Sequence, residues 1–183
     1  MTIYLTRHGE TNYNIEKRYM GSQDIPLNEN GLAQARELAR RLKSEPIDII
    51  VASPLMRAKK TAEIVGEELG LPVVIYPEFK ERNMGVYEHL TKEDVKRTYP
   101  ALFQRKSNKV WDDAPDGGET IEQLEERVFC GLEKIKENFA GKNILLVGHG
   151  LVAKSVDRYF KKTSFEEMMA FLIGNCEVFL YEI

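Results

Sequence analysis

Short apolar runs rich in branched residues alternate along this chain with longer segments whose apolar residues recur every three to four positions. That alternation restricts the fold more than any other feature. A strand that is apolar on both sides must be covered on both sides. A helix between two strands returns the chain so that the strands run parallel. The expected architecture is α/β in three layers, a mostly parallel central sheet with helices on both faces.

The first apolar run, 3–6, precedes Arg7-His8-Gly9. Residues 31–43 predict a helix with Leu32, Ala35, Leu38, Ala39 and Leu42 on one face. The run 47–51 (IDIIV) predicts a buried strand, and Ser53-Pro54 fits an N-cap and first turn. The helix that follows carries Ala58, Ala62, Val65 and Leu69, with Gly70 as its stop. Residues 73–76 predict the next strand. Thr120 and Gln123 form a capping box before a stripe of Ile121, Leu124, Val128, Leu132, Ile135 and Phe139, with Gly141 as terminator. A strand at 144–147 ends at Gly148-His149-Gly150. Helices at 152–160 and 165–171 and a strand at 176–183 complete the chain. Residues 82–118 are less regular and hold Pro100, Pro115 and Gly117-Gly118. They predict an insertion with one short helix at 92–98 inside a single domain spanning 1–183, rather than a second domain.

Composition narrows the class of partner. A net charge of -3 gives no global basic field for nucleic acid or an anionic membrane, so an anion must be held by a local cluster of cations. No apolar run is long enough to span a bilayer. The N-terminus runs straight into a strand-like segment with no secretory leader, so the expected location is cytoplasmic. Cys130 and Cys176 sit in apolar surroundings outside any CxxC pair and are expected to be buried reduced thiols. Oligomeric state is not written in the pattern, and a homodimer stays open.

In sheets of this kind ligands sit beyond the carboxyl ends of the strands. Two of the three histidines fall there in matching contexts, TRHGE and VGHGL. A neutral imidazole is a good nucleophile toward phosphorus, and a second, protonated one can hydrogen-bond a phosphoryl oxygen. Gly9 and Gly150 would let backbone approach an anion. The planar fork of Arg7 suits phosphate oxygens, and Arg57 falls in the first turn of a helix after a strand. A metal site would need further ligands, and no local ligand motif supplies them. The expected site is therefore metal-free and needs no cofactor.

Several segments carry a resemblance. TRHGETNYN resembles the signature of the histidine phosphatase superfamily, the group that includes phosphoglycerate mutases. MGSQDIPLNENGLAQA, ASPLMRAKKTAE, FKERNMGVYEHLT, PDGGETIEQLEERV and LLVGHG are similar to its further blocks, in the family's order and over nearly the whole chain. The resemblance implies a phosphoglycerate mutase-like fold, His8 as the nucleophile that becomes phosphorylated, and Arg7, Arg57 and His149 around the phosphate. It adds Asn14 as a further phosphate donor, Gly21 and Gly150 among the phosphate- or substrate-binding positions, and Glu81 as the general acid. Glu81 rests on the resemblance alone; a carboxyl held beside a transferred phosphate is then pushed toward its protonated form, as an acid needs. Two positions depart from the pattern: His89 stands where the family often has glycine, and Met20 where many relatives are polar. His89 is expected to be exposed.

The implied activity is hydrolysis of a small phosphate ester through a phosphohistidine intermediate. A phosphoglycerate mutase-type transferase is the alternative, and a non-catalytic phosphate-ester binder a third reading. Mutases of the family carry longer insertions than 82–118, which favours the phosphatase. Sugar phosphates, α-ribazole phosphate and general phosphomonoesters all remain candidates. Arg105, Lys106 and Lys109 could meet a second anion, and Trp111 and Tyr87 are read either as lining for a leaving group or as packing residues.

Overall fold

Residues 1–183 are described by a computed structural model. In chain order the elements are β1 (Thr2–Arg7), α1 (Asn12–Ile15), α2 (Glu29–Leu42), β2 (Ile49–Ala52), α3 (Met56–Leu69), β3 (Val73–Ile75), α4 (Lys92–Thr98), α5 (Pro100–Arg105), α6 (Ile121–Asn138), β4 (Ile144–Gly148), α7 (Gly150–Lys161), α8 (Phe165–Ala170) and β5 (Val178–Glu182). The strands form one sheet of order β3-β2-β4-β1-β5, parallel except for β5, which runs antiparallel to β1.

Side-chain alternation builds the two outer layers. Ile3, Leu5, Ile49, Val51, Ile144 and Leu146 face Leu124, Val128 and Leu132 of α6 and Val152 and Val156 of α7. Tyr4, Ile50, Ala52, Leu145 and Val147 face Leu38 and Ala39 of α2 and Ala58, Ala62 and Val65 of α3. Every residue of β2 and β4 is buried, which explains why these strands read as unbroken apolar runs. Each large aliphatic side chain so buried contributes about 1.5–3 kcal/mol.

Register then places the chemistry. Arg7 lies opposite Gly148, and Ala52 opposite Val147. The ladder runs one residue further, His8 N donating to Gly148 O at 3.1 Å and Ser53 N to Val147 O at 3.1 Å. His8, Ser53 and His149 therefore leave the sheet at the same carboxyl edge.

Three expectations change. Helix α3 starts at Met56 rather than at Ser53-Pro54. Its capping acceptor is the Asp24 side chain, Oδ1 accepting from Met56 N at 2.8 Å, a long-range contact that no local pattern displays. Residues 82–118 hold α5 as well as α4, with Pro100 at its first position. Cys130 is exposed, one position beyond the buried face of α6; Cys176 is buried, and burial pushes its thiol up to about 12.

Residues 82–118 pack around Met84, Tyr87, Val95 and Leu102. Arg82, wholly buried, stitches the segment together: Nε, Nη1 and Nη2 donate to the carbonyls of Glu119, Asn108 and Asp113 at 2.6, 2.9 and 3.0 Å. Trp111 meets Phe165 edge to face at 5.5 Å with Arg158 over its ring, and Tyr87 is buried with its hydroxyl on Ser107. Both aromatics are packing residues.

Candidate active site

His8 is buried, and its Nδ1 lies 2.7 Å from the Gly9 carbonyl. A carbonyl can only accept, so Nδ1 carries the proton and Nε2 keeps its lone pair. Burial first, then the charges of Arg57 and Arg7, hold this imidazole well below the ordinary histidine range. His8 is thus neutral with a free Nε2, the form a nucleophile needs. Asn175 Nδ2 donates to the His8 carbonyl at 2.7 Å and fixes the backbone from the far side.

The ring of His149 lies 5.2 Å from that of His8, centroid to centroid. The sequence expectation was a protonated imidazole. Without an anion beside it, burial first, then Arg57, His8 and Arg7, hold its ring well below the ordinary histidine range; a phosphoryl group would act in the opposite sense. Ser53 supplies what the charge would have given. Its Oγ accepts from Leu55 N at 3.3 Å and lies 2.7 Å from His149 Nε2; with the hydroxyl as donor, the ring keeps its proton on Nδ1. Nδ1 is then the N–H of a neutral ring, and it has no partner within the protein. Ser53, read from the sequence as a helix cap, instead sets the His149 tautomer.

Arg57 is fully buried, donating from Nη1 to Gln23 O at 2.6 Å and from Nη2 to Gly21 O at 2.9 Å. Burial pushes its guanidinium down to about 10, which still leaves it charged at neutral pH. Arg7 is held by Ile173 O at 3.2 Å. Each of these guanidiniums keeps a buried Nε–H with no partner. Three of the four orphaned buried polar side-chain atoms in the protein are thus N–H donors of Arg7, Arg57 and His149. Buried donors are normally satisfied, so these three are free to hydrogen-bond an anion.

Arg7, His8, Gly21, Arg57, Glu81 and Gly150 line one cleft of about 270 Å³. Glu81 accepts from Arg82 N at 3.0 Å and, through Oε2, from Leu151 N at 3.2 Å in the first turn of α7. The lining also includes Tyr19, Met20, Met84, Leu151 and Met169, with Arg18, Asn108 and Lys109. Met20, a departure from the family pattern, is thus part of an apolar wall.

Other expected residues lie differently. Asn14 is outside the cleft lining; its Oδ1 accepts from Thr11 N and Thr11 Oγ1 in the capping box of α1. Gly9 is required by packing, because a Cβ there would lie 2.5 Å from Gly31 O. His89 is exposed; its φ of +69° accounts for the glycine common at this position, and its Nδ1 meets Tyr13 Oη at 2.8 Å. Arg105 pairs with Asp113 at 2.7 Å and Lys106 ends α5, so of these three cations only Lys109 reaches the cleft. Nowhere do three or more His, Cys, Asp or Glu side chains meet in a way that could hold a metal ion.

The two buried imidazoles make stability depend on pH. Each is held neutral when folded but takes up a proton near pH 6.5 when unfolded. Their contribution is complete above that value and is lost as pH falls below it. Between about pH 7.5 and about pH 5.5 each imidazole should remove about 1.4 kcal/mol. Urea unfolding at both values should show the fall in wild type and roughly half of it in His149→Asn. An equal fall in the variant would contradict the buried neutral state of His149.

A parallel sheet that presents two imidazoles and two guanidiniums beyond its central strands belongs to a phosphotransfer enzyme of the phosphohistidine type. The family model of the histidine phosphatase superfamily (branch 1) matches residues 3–183, and the chain belongs to that superfamily. It is 41% identical over 148 residues to PhoE, an uncharacterised phosphatase of Bacillus subtilis, covering 81% of this chain and 71% of that one. It is 34% identical over 157 residues to phosphoglycerate mutase-like protein 4 of Arabidopsis thaliana, covering 84% and 68%. The α-ribazole phosphatase of Shigella flexneri superposes with a TM-score of 0.92 at 28% identity, over 100% of this chain and 91% of that one. No helix is long and apolar enough to cross a membrane.

Proposed function

We propose that the chain hydrolyses small phosphomonoesters in two steps, with His8 carrying the phosphoryl group. One observation carries the reading: a neutral imidazole with a free Nε2 lines one cleft with Arg7, Arg57 and Glu81, and the ring of His149 lies 5.2 Å from it. In the first step Nε2 attacks phosphorus in line, the N–P bond forms and the P–O bond breaks. Glu81 gives its proton to the departing oxygen. The three orphaned donors take the equatorial oxygens, so the fixed positive charge is in place before the reaction begins. Gly9 O, already on Nδ1–H, offsets the charge the ring gains. In the second step water gives a proton to Glu81, attacks phosphorus and releases His8. Gly21 and Gly150 form part of the binding wall, and Asn14 would contribute through the amide nitrogen its cap leaves over.

These groups suffice without a metal or cofactor, and the 183 residues form one catalytic domain with 82–118 as an insertion near the active site. The substrate reading is a small phosphorylated metabolite and the location cytoplasmic; neither nucleic acid nor membrane is a partner, and a homodimer is compatible with the site.

A phosphoester panel with phosphate release tests the reading. It should include 3-phosphoglycerate with and without its bisphosphate. Phosphate release from several esters, with no interconversion of phosphoglycerates, is the expected result. Interconversion that needs the bisphosphate would assign the mutase instead. Binding of esters with no turnover of any would leave only a binder.

A further inference from the structure

Glu88 follows the Gly85–Tyr87 turn and does not line the cleft. Its carboxylate is nevertheless the most heavily used acceptor beside it. Oε1 accepts from Ser22 N at 2.7 Å, Ser22 Oγ at 3.1 Å and Met84 N at 3.1 Å, and Oε2 accepts from Gln23 Nε2. The loop it grips is the one whose Gly21 and Gln23 carbonyls hold the two Nη atoms of Arg57. Fit is tight on the near side as well. Gly21 has φ +53°, and a Cβ there would lie 2.1 Å from Glu88 Oε1. Arg57 is wholly buried, so the direction of its free Nε–H is set by those two carbonyls, and their place is set by Glu88.

We propose that Glu88 is a positioning residue: by gripping residues 21–23 it aims the Arg57 guanidinium at the phosphoryl group. The inference rests on the reading of Arg57 as a phosphate ligand. It also ties the pocket to the 82–118 segment, since Glu88 belongs to that segment and Arg57 to the first turn of α3.

The test compares Glu88→Ala, Glu88→Gln, Arg57→Ala and the double variant Glu88→Ala/Arg57→Ala in turnover of p-nitrophenyl phosphate and inhibition by orthovanadate. Glu88→Ala should weaken vanadate and lower kcat/KM by about 10- to 100-fold. Glutamine keeps the oxygen that serves Ser22 and Met84, and the Gln23 amide can turn to meet its NH2. Glu88→Gln should therefore stay within about threefold of wild type. In the Arg57→Ala background Glu88→Ala should add less than about twofold, because nothing is left to aim. Gly21→Ala pushes the carboxylate off from the other side and should reproduce the loss even where Glu88→Ala does not fold. Wild-type vanadate affinity in folded Glu88→Ala or in Gly21→Ala would overturn the proposal. So would a full multiplicative loss in the Arg57→Ala background. Wild type that neither turns over the ester nor binds vanadate would instead sink the reading of the whole site, and this proposal with it.

Discussion

His8→Ala is expected to lower kcat/KM for p-nitrophenyl phosphate by about 10,000-fold or more, because it removes the only group that can take the phosphoryl group onto the protein. The rest of the pocket would survive. Arg7 and Arg57 are anchored by the carbonyls of Ile173, Gly21 and Gln23, and none of these bonds passes through the His8 ring. Orthovanadate or inorganic phosphate should therefore still bind. Brief mixing of wild type with labelled ester, followed by a quench in alkali, should trap an acid-labile label on the protein, and the variant should show none. The binder reading predicts the reverse, with ligand affinity and the trace of turnover the same in both proteins. Turnover in His8→Ala within about tenfold of wild type would remove His8 from the mechanism.

What the sequence showed and what it hid divide along a physical line. The sheet was legible because β2 and β4 are buried throughout, which gives apolar runs too short for a helix and rich in branched residues. His8 and His149 were legible because each directly follows such a strand, and parallel register then brings them together with no further instruction. Contacts made across the fold were not legible. Ser53-Pro54 imitates a helix start, yet the cap comes from Asp24 and the Ser53 hydroxyl goes to His149. The proton state of His149 could not be read, because it follows from burial and from two arginines distant in sequence. Glu88 was one more acidic residue among 29, and nothing local marks a carboxylate that takes three of its four hydrogen bonds from residues 22 and 23. Glu81 came only through the resemblance, because the groups that fix it are the backbone N–H of Arg82 and, far along the chain, that of Leu151.

Glu81→Gln should separate the two steps of the reaction. Nitrophenolate leaves readily without a proton, whereas an alkoxide does not. The loss in kcat/KM should therefore be about 1,000-fold for glycerol phosphate but under about tenfold for p-nitrophenyl phosphate. With the aryl ester, His8 would still become phosphorylated, but water would then have no base. Rapid mixing should show a burst of nitrophenolate equal to the enzyme present, followed by a slow steady rate, with phosphohistidine accumulating. Glutamine retains one oxygen for the backbone N–H of Arg82 or Leu151 and leaves the other N–H facing an amide, a destabilisation of about 1–3 kcal/mol. Thermal unfolding of the variant would separate that effect from chemistry, since loss of structure slows both esters equally. Equal slowing of the two esters in a folded Glu81→Gln, with no burst, would mean that Glu81 is not the proton donor. The cleft offers no other carboxylate in its lining, so the reaction would then have to draw its proton from solvent, and the bond from Leu151 N to Glu81 would be purely structural.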